Sequence, residues 1–316
     1  MKQINEYLQT ELITEAKRIT FNNDTYPKFG WCVIMAGGSG VGKNHAIQHK
    51  LLIDAKEIDV DRMQELFIKS HNGEIGQYSK DSKGKVVKDE RNRTIMTDRH
   101  KFDPKNGDDV SLAHDIMSDN GFKKKVFKAL IGSHYNPERL PNIIFNITAK
   151  DPHKDINEKI LQYIKLIGYN ISLVWCIADR SVAILRNISR GRSVSDKTFH
   201  DIHNKVNTNL PSYLRERKLS KDIDEAWIIW TSSNSLQHPN LDDDDTTSVV
   251  KLHKNGDGEF FIDAATETKL KRYLGRNEEN ITHPRTYLSQ ERIKKRFGRD
   301  DKGKLKLRNT EDFIRR

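Results

Sequence analysis

A glycine-rich segment directly after an apolar run constrains the fold of this chain more than any other feature. The apolar run spans 31–36. The next eight residues, Gly37-Gly38-Ser39-Gly40-Val41-Gly42-Lys43-Asn44, match the pattern G-x-x-x-x-G-K. Short apolar runs are typical of strands that are buried on both faces of a parallel sheet. A strand, this pattern and an amphipathic helix over 43–53 together predict a loop that wraps phosphate groups with its backbone N–H groups.

The residue types in this segment suit the binding of a nucleotide triphosphate. Glycines allow the backbone N–H groups to turn inward, and the following helix directs its positive dipole end at the same anion. Lys43 adds a positive charge for the β- and γ-phosphates. Asn44 stands where serine or threonine normally offers a hydroxyl to Mg²⁺, and its side-chain carbonyl can ligate the same hard cation. The sequence therefore predicts ATP and Mg²⁺ as cofactors, with all eight residues binding the nucleotide and Asn44 binding the metal.

Apolar strand patterns alternate with helical patterns along most of the chain. Strands are predicted over 31–36, 55–60, 142–148, 170–178 and 226–230, and helices over 43–53, 110–131, 153–167, 180–190 and 196–219. This alternation predicts an α/β fold, with a mostly parallel sheet covered by helices on both faces. Two further strands, 249–252 and 259–262, are predicted to form a β-hairpin around Asn255-Gly256-Asp257-Gly258.

The composition divides the chain into three predicted parts. Residues 1–30 form an N-terminal amphipathic helix over 1–20 and a connector. Residues 31–265 form a P-loop kinase domain with a long polar insertion at about 70–109. Residues 266–316 form a basic C-terminal extension that is partly helical.

Positive charge is concentrated in the C-terminal extension. The chain has a net charge of +10, and residues 266–316 hold sixteen Lys and Arg against eight Asp and Glu. Such a tail can neutralise the phosphates of a nucleic acid, and it can equally be a solvated helical extension. Both interpretations stay open at this point.

Several other classes of protein are not expected from the sequence. Every apolar run is far shorter than the ~20 residues of a membrane span, and the N-terminus lacks the apolar core of a signal peptide. We therefore expect a cytoplasmic protein without membrane contact. The two cysteines, Cys32 and Cys176, lie within apolar runs and are expected to be buried thiols. The Asp/Gly turn at 255–258 lacks the ligand series of a calcium loop.

Motifs beyond the glycine-rich segment resemble, in order, those of the zeta-toxin family of P-loop kinases. The segment Glu57-Ile58-Asp59-Val60-Asp61 resembles the acidic strand end of that family, and Asp61 matches its catalytic aspartate. The strand 142–148 resembles one that ends in an acidic-Gly-Thr motif. Thr148 matches the threonine, whereas Asn146 stands where the family has glutamate.

Two arginines extend this resemblance, which covers about 31–235. Arg186 matches the first functional arginine of the family. Arg192, in Gly191-Arg192-Ser193-Val194-Ser195, matches the second. Zeta toxins transfer the γ-phosphate of ATP to a hydroxyl of a UDP-N-acetyl sugar and are held inactive by a small antitoxin. The resemblance thus implies a small-molecule acceptor, an inhibitory protein partner and two sets of site residues. The implied catalytic residues are Lys43, Asp61, Arg186 and Arg192, and the implied substrate-binding residues are Asp59, Asn146 and Thr148.

These roles agree with the chemistry of phosphoryl transfer, in which positioning and well-placed cations do most of the catalysis. Asp61, at the end of a strand beside the loop, can orient and deprotonate a hydroxyl, and Asp59 is the alternative base. Arginines hold γ-phosphate oxygens bidentately.

Three functions stay open on the sequence alone. The first is a kinase of a nucleotide sugar. The second is a kinase of a nucleic-acid hydroxyl, which the basic tail favours. The third is a nucleotide-binding protein without catalysis, which Asn44 and Asn146 motivate.

Overall fold

The computed structural model describes residues 15–16, 19–22, 26–82, 87–90, 95–119, 140–152, 156–178, 180–189, 194, 196–231, 248–262, 266, 297–299 and 305–307. The strands are β1 (Glu15–Ala16), β2 (Trp31–Ala36), β3 (Ala55–Asp59), β4 (Glu74–Tyr78), β5 (Met96–Lys101), β6 (Asn142–Asn146), β7 (Asn170–Ile177), β8 (Glu225–Trp230), β9 (Ser248–Lys254), β10 (Phe260–Phe261), β11 (Phe297–Arg299) and β12 (Leu305–Leu307). The helices are α1 (Lys43–Ala46), which continues as the π-helical turn Ile47–Leu51, α2 (Val60–Ser70), α3 (Gly107–Asp119), α4 (Glu158–Ile167), α5 (Arg180–Ser189), α6 (Asp196–Arg215) and α7 (Arg217–Ser220).

One large, mostly parallel sheet organises the chain. Its strand order is β1-β9-β8-β7-β2-β6-β3, with β10 paired to the C-terminal end of β9. Strands β8, β7, β2, β6 and β3 run parallel, whereas β9 is antiparallel to β8. Because the carboxyl ends of parallel strands meet at one edge, the segments that follow β2, β3 and β6 converge there. The predicted fold class is confirmed.

The core lies on both faces of this sheet. Cys32, Ile34 and Ala36 of β2 belong to one buried cluster, and Trp31, Val33 and Met35 belong to the other. All six residues of β2 are buried, as the continuous apolar run predicts. Both cysteines lie buried within their strands.

Local sequence signals set the ends of several elements. Asn157 caps the start of helix α4, where its side chain accepts a hydrogen bond from the Ile160 N–H at 3.1 Å. Gly168, where φ is 107°, caps the end of the same helix. The predicted hairpin forms from β9 and β10, and Asn255 Oδ1 accepts bonds from the N–H groups of Asp257 and Glu259.

The N-terminal region differs from the predicted helix where the structure describes it. Glu15–Ala16 is a strand that pairs with Val249 and Val250 of β9. Ile19 and Phe21 are then buried, and the Phe21 ring lies 5.0 Å from that of Trp31. The prediction was wrong for 15–16 because the free edge of β9 offers backbone partners that a helical pattern cannot reveal. Residues 1–14 lie outside the described residues.

The predicted polar insertion, 70–109, contains regular secondary structure. It contains β4 and β5, which form an antiparallel ribbon with Ile75 and Met96 buried against the core. Its single apolar residues are too sparse to give a strand pattern in the sequence. Helix α2, before this ribbon, had not been predicted. In the C-terminal extension, Phe297–Arg299 and Leu305–Leu307 form the antiparallel strand pair β11–β12, and Thr266 is helical. No helix within the described ranges has the length and apolar character needed to cross a membrane.

Candidate active site

A cavity of about 360 Å³ opens at the carboxyl edge of the sheet, where the glycine-rich loop follows β2. We call residues 37–44 the phosphate loop, and the lining residues of α2 and α3 together with Asp59 the helical wall. The cavity is lined by Gly38, Ser39, Gly40, Gly42, Lys43 and Asn44 from the phosphate loop; by Asp59, Asp61, Val110, Ser111, His114 and Asp115 from the helical wall; by Asn146, Ile147, Thr148 and Lys150 after β6; and by Asn187, Val194, Thr198 and Ile202 on and between α5 and α6.

The backbone of the phosphate loop needs glycine at defined positions. Gly37, Gly40 and Gly42 have φ values of 143°, 77° and 88°, which other residues rarely adopt. A Cβ atom at Gly40 would lie 2.1 Å from the carbonyl oxygen of Ala183 on α5. The loop therefore combines an unusual backbone conformation with close packing, which explains its composition.

Lys43 places its ammonium group inside the phosphate loop. Its Nζ donates to the carbonyl oxygens of Gly37 at 2.8 Å and Gly38 at 3.1 Å. A cation in this position attracts an anion that binds within the loop.

Three side chains from distant elements hold the loop. His203 of α6 contacts the Ser39 carbonyl oxygen through Nε2 at 2.8 Å, and the Ser39 hydroxyl donates to Asn187 Oδ1 of α5 at 3.1 Å. The hydroxyl of Thr231, which follows β8, donates to the Val41 carbonyl. The loop is thus held by residues that come 148 to 190 positions later in the chain.

A hydrogen-bonded chain of three side chains contains Asn44 and Asn146. Asn146 Nδ2 donates to Asn44 Oδ1 and to Glu57 Oε1, each at 2.9 Å. Because the Glu57 carboxylate can only accept, it fixes the orientation of the Asn146 amide, and Asn146 in turn requires the carbonyl oxygen of Asn44. Asn44 and Asn146 are therefore joined by a hydrogen bond of defined direction. Glu57 was not among the predicted site residues.

The two predicted carboxylates lie on the same side of the cavity with different local roles. Asp59 ends β3 and caps α2, where its Oδ1 accepts from the Asp61 N–H at 2.8 Å. Burial raises the pKa of Asp59, an effect opposed by this hydrogen bond and by Lys43. Asp61 stands in the first turn of α2 and is exposed. Both line the cavity that the phosphate loop encloses.

Thr148 and Asn146 also line this cavity, and the Thr148 carbonyl accepts a hydrogen bond from the Gly37 N–H at 3.4 Å. The structure thus brings Lys43, Asn44, Asp59, Asp61, Asn146 and Thr148 together.

Arg186 does not join this group. It is 7% exposed, and its guanidinium donates to Thr231 Oγ1 at 3.1 Å and to the Thr231 carbonyl at 2.9 Å. Its side chain therefore supports the residue that holds Val41 and is not part of the cavity lining. The role of Arg186 at the γ-phosphate stays a prediction. Arg192 lies outside the described residues.

Helix α3 supplies lining residues that the sequence pattern did not single out. Ser111, His114 and Asp115 share one face of the helix because they are three and four residues apart. The buried Gln64 of α2 donates to the Val110 carbonyl at 2.9 Å and fixes α3 against the helix that carries Asp61. A helical pattern was visible here, but a sequence alone does not show which face meets the cavity.

Comparisons with known proteins give structural matches of low identity. No protein-family model and no curated protein matches the chain. The chain is similar to one chain of the crystal structure of AvrRxo1-ORF1 with AvrRxo1-ORF2 and sulphate ions, at a TM-score of 0.46 and 10% identity over 78% of this chain and 64% of that one. It is similar to a chain of the same complex with ATP, at 0.45 and 9% over the same shares.

A third match is the PezAT chromosomal toxin–antitoxin system of Streptococcus pneumoniae, at a TM-score of 0.37 and 15% identity over 72% of this chain and 74% of that one. The chain spans less than two thirds of the length of the AvrRxo1 chains that it matches.

Proposed function

We propose that this chain is an ATP-dependent phosphotransferase that moves the γ-phosphate to a hydroxyl, with a nucleotide sugar such as UDP-N-acetylglucosamine as the acceptor. One observation carries the proposal. The phosphate loop with Lys43 and the carboxylates Asp59 and Asp61 line the same cavity. A donor site for a triphosphate thus lies next to groups that can activate a hydroxyl.

The phosphate loop fits the phosphates of ATP. Its backbone leaves no room for a side chain at Gly37, Gly38 or Gly40, and the Gly37 and Gly38 carbonyl oxygens hold the Lys43 ammonium. Backbone N–H groups and one lysine are the donors that phosphate oxygens need. Lys43 would exchange its two carbonyl partners for phosphate oxygens when ATP binds.

The oxygen atoms on the cavity side also fit Mg²⁺. The orientation of Asn44 Oδ1 is fixed by Asn146, and a carbonyl oxygen has a second lone pair that a hard cation can use. Asp59 adds a carboxylate nearby in the same lining. Bound Mg²⁺ would neutralise charge on the β- and γ-phosphate oxygens.

Asp61 is the proposed general base. Asp59 already accepts the cap hydrogen bond of α2, whereas the Asp61 carboxylate lies at the exposed end of the same turn. In the proposed reaction the acceptor hydroxyl gives its proton to Asp61. The oxygen of the acceptor hydroxyl bonds to the γ-phosphorus. The bond between that phosphorus and the oxygen that bridges it to the β-phosphate breaks, and ADP is released.

The remaining roles come from the zeta-toxin resemblance. We propose Asn146 and Thr148 for acceptor binding and Arg192 for the γ-phosphate, together with an inhibitory protein partner and a cytoplasmic location. The basic extension, 266–316, favours a nucleic-acid hydroxyl as the second candidate acceptor.

The test is transfer of label from γ-labelled ATP with Mg²⁺ to UDP-N-acetylglucosamine or to a hydroxyl-ended oligonucleotide. Lys43→Ala is the control. We expect label on the sugar nucleotide that depends on Lys43. Label on the oligonucleotide alone would support a nucleic-acid acceptor that the basic extension helps to bind. ATP binding with no Lys43-dependent transfer to either acceptor would contradict the proposal and support a non-catalytic protein.

A further inference from the structure

The phosphate loop is packed against a buried histidine on the side away from the cavity. His203 of α6 is 4% exposed, and its Nε2 lies 2.8 Å from the Ser39 carbonyl oxygen. Its ring stacks on Phe199 with centroids 4.2 Å apart. A Cβ atom at Gly38 would lie 2.6 Å from two atoms of the His203 ring. The imidazole therefore touches two consecutive residues of the loop backbone.

The protonation state of this ring is set by its surroundings. A carbonyl oxygen only accepts, so Nε2 carries the proton and the ring acts as a donor. The pKa of His203 is lowered to about 3, mainly by burial and also by the nearby Arg180, Lys43 and His200, against the opposing effect of the Ser39 hydrogen bond. The ring is thus a neutral, fixed donor at neutral pH.

The peptide bond between Ser39 and Gly40 connects this contact to the cavity. In a trans peptide the C=O and the next N–H point in opposite directions. Holding the Ser39 carbonyl toward α6 turns the Gly40 N–H toward the other side of the loop, where Gly40 lines the cavity. Thr231 acts in the same way at Val41, whose carbonyl it holds, and so orients the N–H of Gly42.

We propose that His203 is a positioning residue that orients the Gly40 N–H toward the phosphates of ATP. The proposal deepens the function above, since it takes ATP as the ligand of the loop. His203 lies behind the loop rather than in the lining of the main cavity, so it acts only through the loop backbone. Nothing in the G-x-x-x-x-G-K pattern calls for a histidine 160 or more residues away.

The test compares ATP affinity across variants of two buried histidines on α6. His203→Leu removes the donor, His203→Gln keeps an N–H of similar reach, and His203→Asn keeps an amide that is too short. His200→Leu is the matched control, because His200 is also buried and packs edge-on against the same Phe199 ring at 5.6 Å. Calorimetric titration with Mg²⁺ and ATP gives the affinity. Amide hydrogen exchange of residues 37–43 without nucleotide gives the order of the loop.

We expect His203→Leu to weaken ATP binding about tenfold and to speed exchange in the loop, since a buried carbonyl loses its partner. His203→Gln should stay within about threefold of the wild type, and His200→Leu should keep wild-type affinity. If His203→Leu does not fold, a difference between the Gln and Asn variants decides the question. Equal ATP affinity and equal loop exchange in all folded His203 variants would overturn the proposal, as would an equal loss in His200→Leu.

This experiment is independent of phosphate transfer. ATP binding without transfer would contradict the proposed phosphotransferase while leaving the affinity comparison valid. A wild type that bound no ATP would overturn the role of His203 as well, since that role takes ATP as the ligand of the loop.

Discussion

The two sides of the cavity are built in different ways. The phosphate loop contributes mainly backbone, and buried residues from α5, α6 and the end of β8 hold it in place. The helical wall contributes side chains instead: Asp61 and Asp115 are exposed, and the His114 side chain is 35% exposed. A buried scaffold suits a phosphate group whose shape is fixed, whereas exposed side chains on helices can be exchanged without disturbing the core. This difference predicts which substitutions change stability and which change only chemistry.

The helical wall should show its largest effect at Asp61. We expect Asp61→Asn to lower the rate of phosphate transfer about a hundredfold, since it removes the general base. ATP affinity and the free energy of unfolding should stay near those of the wild type, because Asp61 is exposed. Single-turnover kinetics and calorimetry measure the three quantities.

Asp59→Asn is the matched variant. Its free energy of unfolding should stay within about 1 kcal/mol of that of Asp61→Asn, because asparagine caps a helix about as well as aspartate. Full transfer activity in Asp61→Asn, with loss of activity in Asp59→Asn, would move the base to Asp59.

Within the phosphate loop, substitution of Gly38 should have the largest effect on stability. A Cβ atom there would lie 2.6 Å from the His203 ring, so we expect Gly38→Ala to cost about 1–3 kcal/mol of unfolding free energy and to weaken ATP binding. Gly256→Ala is the control, because nothing lies within 4 Å of a Cβ atom at that turn position. Denaturant unfolding checks both variants. Adding His203→Ala should recover part of the loss, and equal stability of the two alanine variants would contradict the packing argument.

A pH series tests the buried histidine without changing the loop. The folded pKa of His203, about 3, lies below the usual value of 6.5. Between these values the unfolded chain binds a proton that the folded chain does not. The contribution of His203 to the free energy of unfolding is therefore fully present above pH 6.5 and is lost as the pH drops. The slope from this group is at most about 1.4 kcal/mol per pH unit.

His203→Gln should remove this contribution in unfolding measurements at pH 7.5, 6.0 and 5.0, while other groups, including Asp59 with its raised pKa, stay unchanged. Parallel pH curves for the wild type and the variant would argue against a neutral buried ring.

The smallest effect is expected on the outer part of the helical wall. Asp115→Asn should raise the acceptor KM by about threefold, as expected for one exposed polar contact, and should leave ATP affinity unchanged. Asp108→Asn is a matched exposed aspartate on the same helix that is not part of the cavity lining, and it should have no effect. Steady-state kinetics with each acceptor measures this. Equal behaviour of the two variants would exclude Asp115 from acceptor binding.

Much of the fold was predictable because its signals are local. Continuous apolar runs gave β2, β6, β7 and β8, and the glycine pattern after β2 gave the phosphate loop. The predictions failed where structure depends on a distant partner. Glu15–Ala16 is a strand because β9 offers a free edge, and the ribbon of β4 and β5 is held by a few buried residues within a polar segment. For the site, Lys43, Asp59, Asp61, Asn146 and Thr148 converge as expected, whereas Arg186 is buried behind Thr231.

The sequence by itself determined the parallel α/β sheet, the position of the phosphate loop and the carboxylates at the end of β3. Each depends on residue types and spacings within a few neighbouring positions. Only the tertiary structure decided that His203, Asn187 and Thr231 hold the loop, that Glu57 orients Asn146 and Asn44, and that one face of α3 meets the cavity. These contacts join residues far apart in the chain. Their geometry arises only when the helices pack on the sheet, so no local pattern in the sequence encodes it.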